Sequence, residues 1–190
     1  GTTVGNSLEV QEAINYLTGK KRDKRLHKVV LSLAAEMVKI SGLSGSKKEA
    51  IKEINSVLDS GKAAQKFEEM VEALGGSSNI LKEKFKQSEI VKPIPATKSG
   101  FISDIQTRDI GLSVVSLGGG RRKASDIIDH SVGLTEISGL GNYIEKGQPI
   151  AMVHANKETE ANHAIELIQQ AYSINDIRVE PLSPVIQQIV

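Results

Sequence analysis

The chain contains no cysteine and no tryptophan. The first absence excludes disulfides and thiolate metal ligation and fits a reducing, cytoplasmic compartment. Aromatic residues make up 3% of the chain, so its core has to be built from isoleucine, leucine, valine and alanine. No apolar run approaches the ~20 residues that a membrane-spanning helix needs. The formal net charge is +1, so no overall field favours nucleic acid or a membrane surface as a partner. The start, Gly1-Thr2-Thr3-Val4-Gly5-Asn6, has neither the cationic nor the apolar region of a secretory leader. It also lacks an initiator methionine, which fits a processed start or a piece of a longer protein.

What is present divides into two compositions. The first half carries helical periodicity. Apolar residues Leu8, Val10, Ala13, Ile14 and Leu17 share one face, Asn6 or Ser7 supplies an N-cap, Glu9 completes a capping-box spacing, and Gly19 ends the helix. A basic connector, Lys20-Lys21-Arg22-Asp23-Lys24-Arg25, reads as a solvated turn. A second helix follows from Leu26 to Ile40, with an apolar arc wide enough to predict deep burial. Ser46 and Glu49 repeat the capping pattern before a third helix, and a fourth runs on to Gly75-Gly76. Residues 82–92 are polar, and Pro93 and Pro95 bar a helix, which places a boundary near residues 87–95.

Beyond it, strand alternation is expected over residues 100–105, around Val132, Leu134 and Ile137, over residues 149–155 and over 177–179. A short helix from Ile110 to Leu117, capped by Asp109, and a longer one from Lys157 to Tyr172 lie between them. The fold class predicted is α+β. A helical layer over residues 1–90, part of a larger α/β domain, precedes a C-terminal α/β domain with short mixed strands over 91–190, of barrel-sandwich or hammerhead-like form.

The most informative segment is Ser116-Leu117-Gly118-Gly119-Gly120-Arg121-Arg122-Lys123. Glycines let backbone amides approach a bound group, and arginine presents a planar fork to phosphate or carboxylate oxygens. The segment therefore reads either as an anion-contact lid or as a solvated link between a helix and a strand. It is neither a Walker loop nor a dinucleotide fingerprint, since both spacings are absent. The histidines, His27, His130, His154 and His163, show no metal-ligand spacing, and no nucleophile elbow accompanies them. The glycine spacing of Gly141, Gly147 and Pro149 is similar to the turns of lipoyl or biotinyl carriers. Lys146 lacks the setting of a modified lysine, so a shared sandwich shape is the better reading. Glu9 and Glu12 read as solvated helix residues, with a hard-cation ligand as the alternative.

Taken together, four segments resemble the thymidine and pyrimidine-nucleoside phosphorylase family. They are Val4-Gly5-Asn6-Ser7-Leu8-Glu9-Val10 with Glu12 and Ala13, Gly61-Lys62-Ala63-Ala64, the stretch from Ser116 to Gly133, and Glu145-Lys146-Gly147-Gln148-Pro149. The match runs in order over residues 1–175. The resemblance implies phosphorolysis of a pyrimidine nucleoside to the free base and an α-pentose-1-phosphate. It further implies that this chain is the C-terminal part of such an enzyme, inactive alone, because the family's "KHSTGG"-like phosphate-binding run and its base-holding Arg/Ser/Lys set are not found in it. No catalytic residue is then expected here. Gly118, Gly119, Gly120, Arg121 and Arg122 would form a loop that closes the active site. Thr3, through its carbonyl, and Glu12 would be the remnant of a potassium site, with no other cofactor required. The intact enzyme would bind phosphate and nucleoside and form a homodimer. A non-catalytic anion- or partner-binding module of the same fold is the competing reading, and a phosphorylase of nucleoside monophosphates is a third.

Overall fold

A computed structural model describes residues 1–186. The last four residues of the expected second domain lie outside the described residues. The described chain separates into two compact units. Among the described residues, one comprises Gly1, Gln11–Lys84 and residues 182–186; the other comprises Thr2–Val10 and Phe85–Pro181.

The first unit is helical. Helix α1 runs over Asn6–Leu17 and belongs to this unit from Gln11 on, followed by α2 over Lys24–Ile40, α3 over Lys47–Asp59 and α4 over Lys62–Ala73. Asp23 caps α2 by accepting from Leu26 N, and Ser46 caps α3 by accepting from Glu49 N, so each offers an oxygen to an orphan amide. The helix thus begins inside the basic connector, because Asp23 supplies the cap within it. Gly61 enters α4 with φ +78°, a backbone that glycine adopts without strain. Ile14, Tyr16, Ala35, Ala50, Leu58 and Ala64 are buried in this unit. The expected deep burial of α2 is not met. Leu33 is 63%, Met37 70% and Ile40 84% exposed, since α2 packs mainly on α3 and its apolar arc is wider than that contact covers.

The second unit carries the strands, all paired antiparallel. Strands β1 (Val4–Gly5), β2 (Ile90–Pro95), β4 (Gly133–Thr135) and β6 (Pro149–Ala155) form a sheet in the order β1-β4-β6-β2. Strands β3 (Gly100–Ile105), β5 (Tyr143–Ile144) and β7 (Tyr172–Asn175) form a second sheet in the order β5-β3-β7. Pro93 and Pro95 are accommodated because β2 is an edge strand, with an irregularity between Ile94 and Pro95. Helices α5 (Thr107–Ser116) and α6 (Glu158–Ala171) pack on each other, and Ile102, Ile110, Leu134, Val153 and Ile168 are among the residues of a single aliphatic core.

Three local expectations shift. Gln106, not Asp109, precedes α5, and Asp109 lies in its first turn. The last strand is β7 rather than residues 177–179. Tyr172 and Ile174 alternate into the core opposite β3, whereas Ile177 is exposed. The Asn6 side chain does not cap α1. It reaches across to Gly119 O, and Glu9 Oε1 accepts from Gly5 N instead.

Candidate functional site: an anchored glycine and arginine loop

The loop after α5 starts from a helix stop. Gly118 N donates to Val115 O and Gly119 N to Val114 O, the paired bonds of a Schellman ending, with Gly118 at φ +91°. A β-carbon on Gly119 would lie 2.7 Å from Val114 Cγ1 and 3.1 Å from Val114 O. So the first two glycines have a local reason: one takes the left-handed position and the other packs flush on the helix end.

The base of the loop is tied on three sides within the same unit. Asp129 N donates to Gly118 O at 2.9 Å, closing the loop on itself. Asn6 Nδ2 donates to Gly119 O at 2.8 Å, and Ser7 N donates to His130 O at 3.1 Å, so the start of α1 grips both arms. The Asp129 carboxylate accepts from Ser131 Oγ, Ser131 N and Asn156 Nδ2. Those donors stabilise the ionised form and hold Asp129 below the usual carboxylate range. A shallow cleft lined by Val4, Gly5, Asn6, Glu9, Val115 and Gly119 lies at this base.

The tip is different. Arg121, Arg122, Lys123 and Ile127 are exposed, and Ile127 is 93% so. The Asp126 carboxylate folds back onto the tip and accepts from Arg122 N and Lys123 N. Gly118, Gly119, Gly120, Arg121 and Arg122 are therefore brought together as one structure, solid at its root and cationic at its end.

Among the remaining candidates, His27 and His154 have structural partners. His27 Nδ1 shares a hydrogen bond of 2.7 Å with Tyr16 OH, and burial pushes that phenol up, partly opposed by Arg22. His154 is buried in β6 with Nε2 bonded to Thr135 Oγ1 at 2.9 Å, while Nδ1 finds no partner among the described residues. Burial holds its pKa below the ordinary value, with Glu136 opposing. His163 is exposed on α6. Thr3 precedes β1, and Glu12 lies on α1 with Oε2 2.1 Å from where a β-carbon on Gly1 would sit. Among the described residues no group of three or more His, Cys, Asp or Glu gathers to hold a metal. No described helix is long and apolar enough to cross a membrane.

Asn6, Asp126 and Asp129 were not singled out as site residues by the sequence reading. For Asp129 a signal existed: aspartate two residues before a serine is an Asx-turn pattern. For Asn6 none did, since its partner lies 113 residues away.

Residues 101–175 match the family described as Pyrimidine nucleoside phosphorylase C-terminal domain. Over 189 residues the chain is 43% identical to a thymidine phosphorylase of Colwellia psychrerythraea, which accounts for 98% of this chain and 43% of that protein. The chain thus spans less than half the length of this curated relative.

Proposed function

This chain belongs to the thymidine and pyrimidine-nucleoside phosphorylase family and carries its C-terminal domain, and from that premise we propose that it serves in the reversible phosphorolysis of thymidine or another pyrimidine nucleoside. In that reaction a phosphate oxygen bonds to the anomeric carbon of the sugar as the bond to the base breaks. The bonding pair leaves with the base, which takes up a proton. The products are the free base and an α-pentose-1-phosphate. The family's "KHSTGG"-like phosphate-binding run and its base-holding Arg/Ser/Lys set are not among these 190 residues, and no acid, base or nucleophile is assigned here.

The part assigned to this chain is cover and charge. The loop closes over the bound reactants, with Gly118, Gly119 and Gly120 as its root and Arg121 and Arg122 at its tip. Closure excludes water, which would otherwise compete with phosphate for the sugar. Guanidinium groups near the migrating negative charge favour the transition state electrostatically. The observation that carries the assignment is the contrast within the loop: two backbone ties and the Asn6 side chain hold its base, and its end exposes cations held in no ion pair among the described residues. The intact enzyme acts as a cytoplasmic homodimer and needs no organic cofactor; a potassium ion would be held by the Thr3 carbonyl, the Glu12 carboxylate and further carbonyls from outside the chain.

The test is thymine release, followed by chromatography with and without phosphate. The product of the complete gene is expected to release thymine only with phosphate, and the 190-residue chain to release none. Phosphate-dependent turnover by the 190-residue chain would overturn this placement of the catalytic groups. In the complete enzyme, Arg121→Ala and Arg122→Ala are expected to lower kcat by about tenfold or more, with an unchanged unfolding midpoint. Equal loss of rate and stability would make the loop purely architectural.

A further inference from the structure

At the tip of the loop two adjacent backbone amides converge on one atom. Arg122 N and Lys123 N each donate to Asp126 Oδ2 at 2.9 Å. The turn is closed by Asp126 N donating to Lys123 O at 3.1 Å and by Arg121 Nε donating to Asp126 O at 3.2 Å. Neighbouring amides aimed at a common point make an anion-binding concavity. The same turn carries three exposed cations, Arg121, Arg122 and Lys123, and none of the three is held in an ion pair among the described residues. Residues 121–126 carry three cations and one carboxylate, so the tip stays net positive with its amides occupied.

We propose that the amides of Arg122 and Lys123 form an oxyanion site of the phosphate class, and that Asp126 is its built-in occupant, displaced when a phosphate binds. The carboxylate is a fitting placeholder, being planar, anionic and able to accept both amides. It is a poorer ligand than phosphate in one respect. Tethered in a tight turn, it meets the amides with one oxygen, whereas a phosphate has further oxygens for the guanidinium fork of Arg121 or Arg122. A tethered group competes intramolecularly, so it raises the phosphate concentration needed to fill the site. The placeholder also keeps these amides satisfied while no ligand is bound. The inference deepens the closing-loop reading by naming what the tip binds and what must let go first. Its test is independent of turnover.

The 15N-labelled 190-residue chain is titrated with inorganic phosphate, and with sodium chloride at matched ionic strength, while the amide resonances of Arg122 and Lys123 are followed. In the wild type both are expected to move with phosphate beyond the chloride control. In Asp126→Ala they should saturate at phosphate concentrations about fivefold lower or less, because removing the competitor raises the fraction of open site. Asp126→Asn, which keeps an acceptor without the charge, should fall between. Unchanged Val132 and Leu134 amides report an intact core. Where Asp126→Ala disturbs them, Asp126→Asn carries the comparison alone. Amides in the variant that respond no more than to chloride, or that saturate where the wild type does, overturn the proposal. A phosphate response here with no phosphorolysis by the complete enzyme would overturn the functional reading instead and leave this site standing.

Discussion

Gly119 shows how a single hydrogen atom in place of a methyl group can fix a loop. A β-carbon there would press on both Val114 Cγ1 and the Val114 carbonyl, and the carbonyl is backbone that cannot turn away. Gly119→Ala is therefore expected to cost about 1–3 kcal/mol, read as a lower urea midpoint with unchanged slope. Gly120→Ala meets the tip of Val115 Cγ2 and should cost less, since a methyl can shift. His154 makes a second residue-scale prediction. Burial lowers its pKa from 6.5, so the unfolded chain binds its proton more readily than the folded one. Its contribution to stability is complete above the unfolded value and is lost as pH falls through the folded one. Thermal midpoints should thus decline as pH falls below the unfolded value of 6.5, and His154→Gln should flatten that decline. A decline that survives the substitution would assign it to other groups, such as Asp129, whose depressed pKa withdraws stability at more acidic pH. Tyr172, pushed up to about 12 by burial, keeps its proton throughout and donates to Ser138 O.

Among the elements, the ends are more telling than the middles. Helices α3 and α4 and strands β3 and β6 follow from periodicity and punctuation, and β3 and β6 occupy the residues that alternation marks out. Strand β2 was hidden by its prolines, which an edge position tolerates. Strand β7 was hidden because it leaves α6 with no intervening turn, and only its register with β3 makes it a strand. The loop root is likewise a product of elements far apart in sequence. Asn6→Ala, which removes the tie to Gly119 O, is expected to cost about 1 kcal/mol. It should also speed hydrogen exchange at Asp129 N, which bonds Gly118 O, while leaving the amides of β6 protected. Unaltered exchange at Asp129 would show that α1 does not restrain the loop.

At the scale of the molecule, the likeness to a thymidine phosphorylase runs along nearly the whole chain, yet covers less than half of that relative. Leu33, Met37 and Ile40 on α2 are exposed, as are Leu43, Leu74, Ile127 and Ile177 elsewhere in the chain. The wide arc of α2 predicted burial because periodicity records which residues are apolar, not how many neighbours arrive to cover them. The molecular prediction is the inactivity of the 190-residue chain beside the phosphate-dependent turnover of the complete enzyme.

Local chemistry was enough to determine the four N-terminal helices, two of the longest strands and the cationic loop, since caps, glycines and apolar spacing act over a few residues. Only the tertiary structure decided that Asn6 belongs to that loop and that His154 is buried and half-satisfied. Such pairings depend on where the chain returns in space, and a carboxylate or an amide bears no mark in the sequence of the partner it will meet.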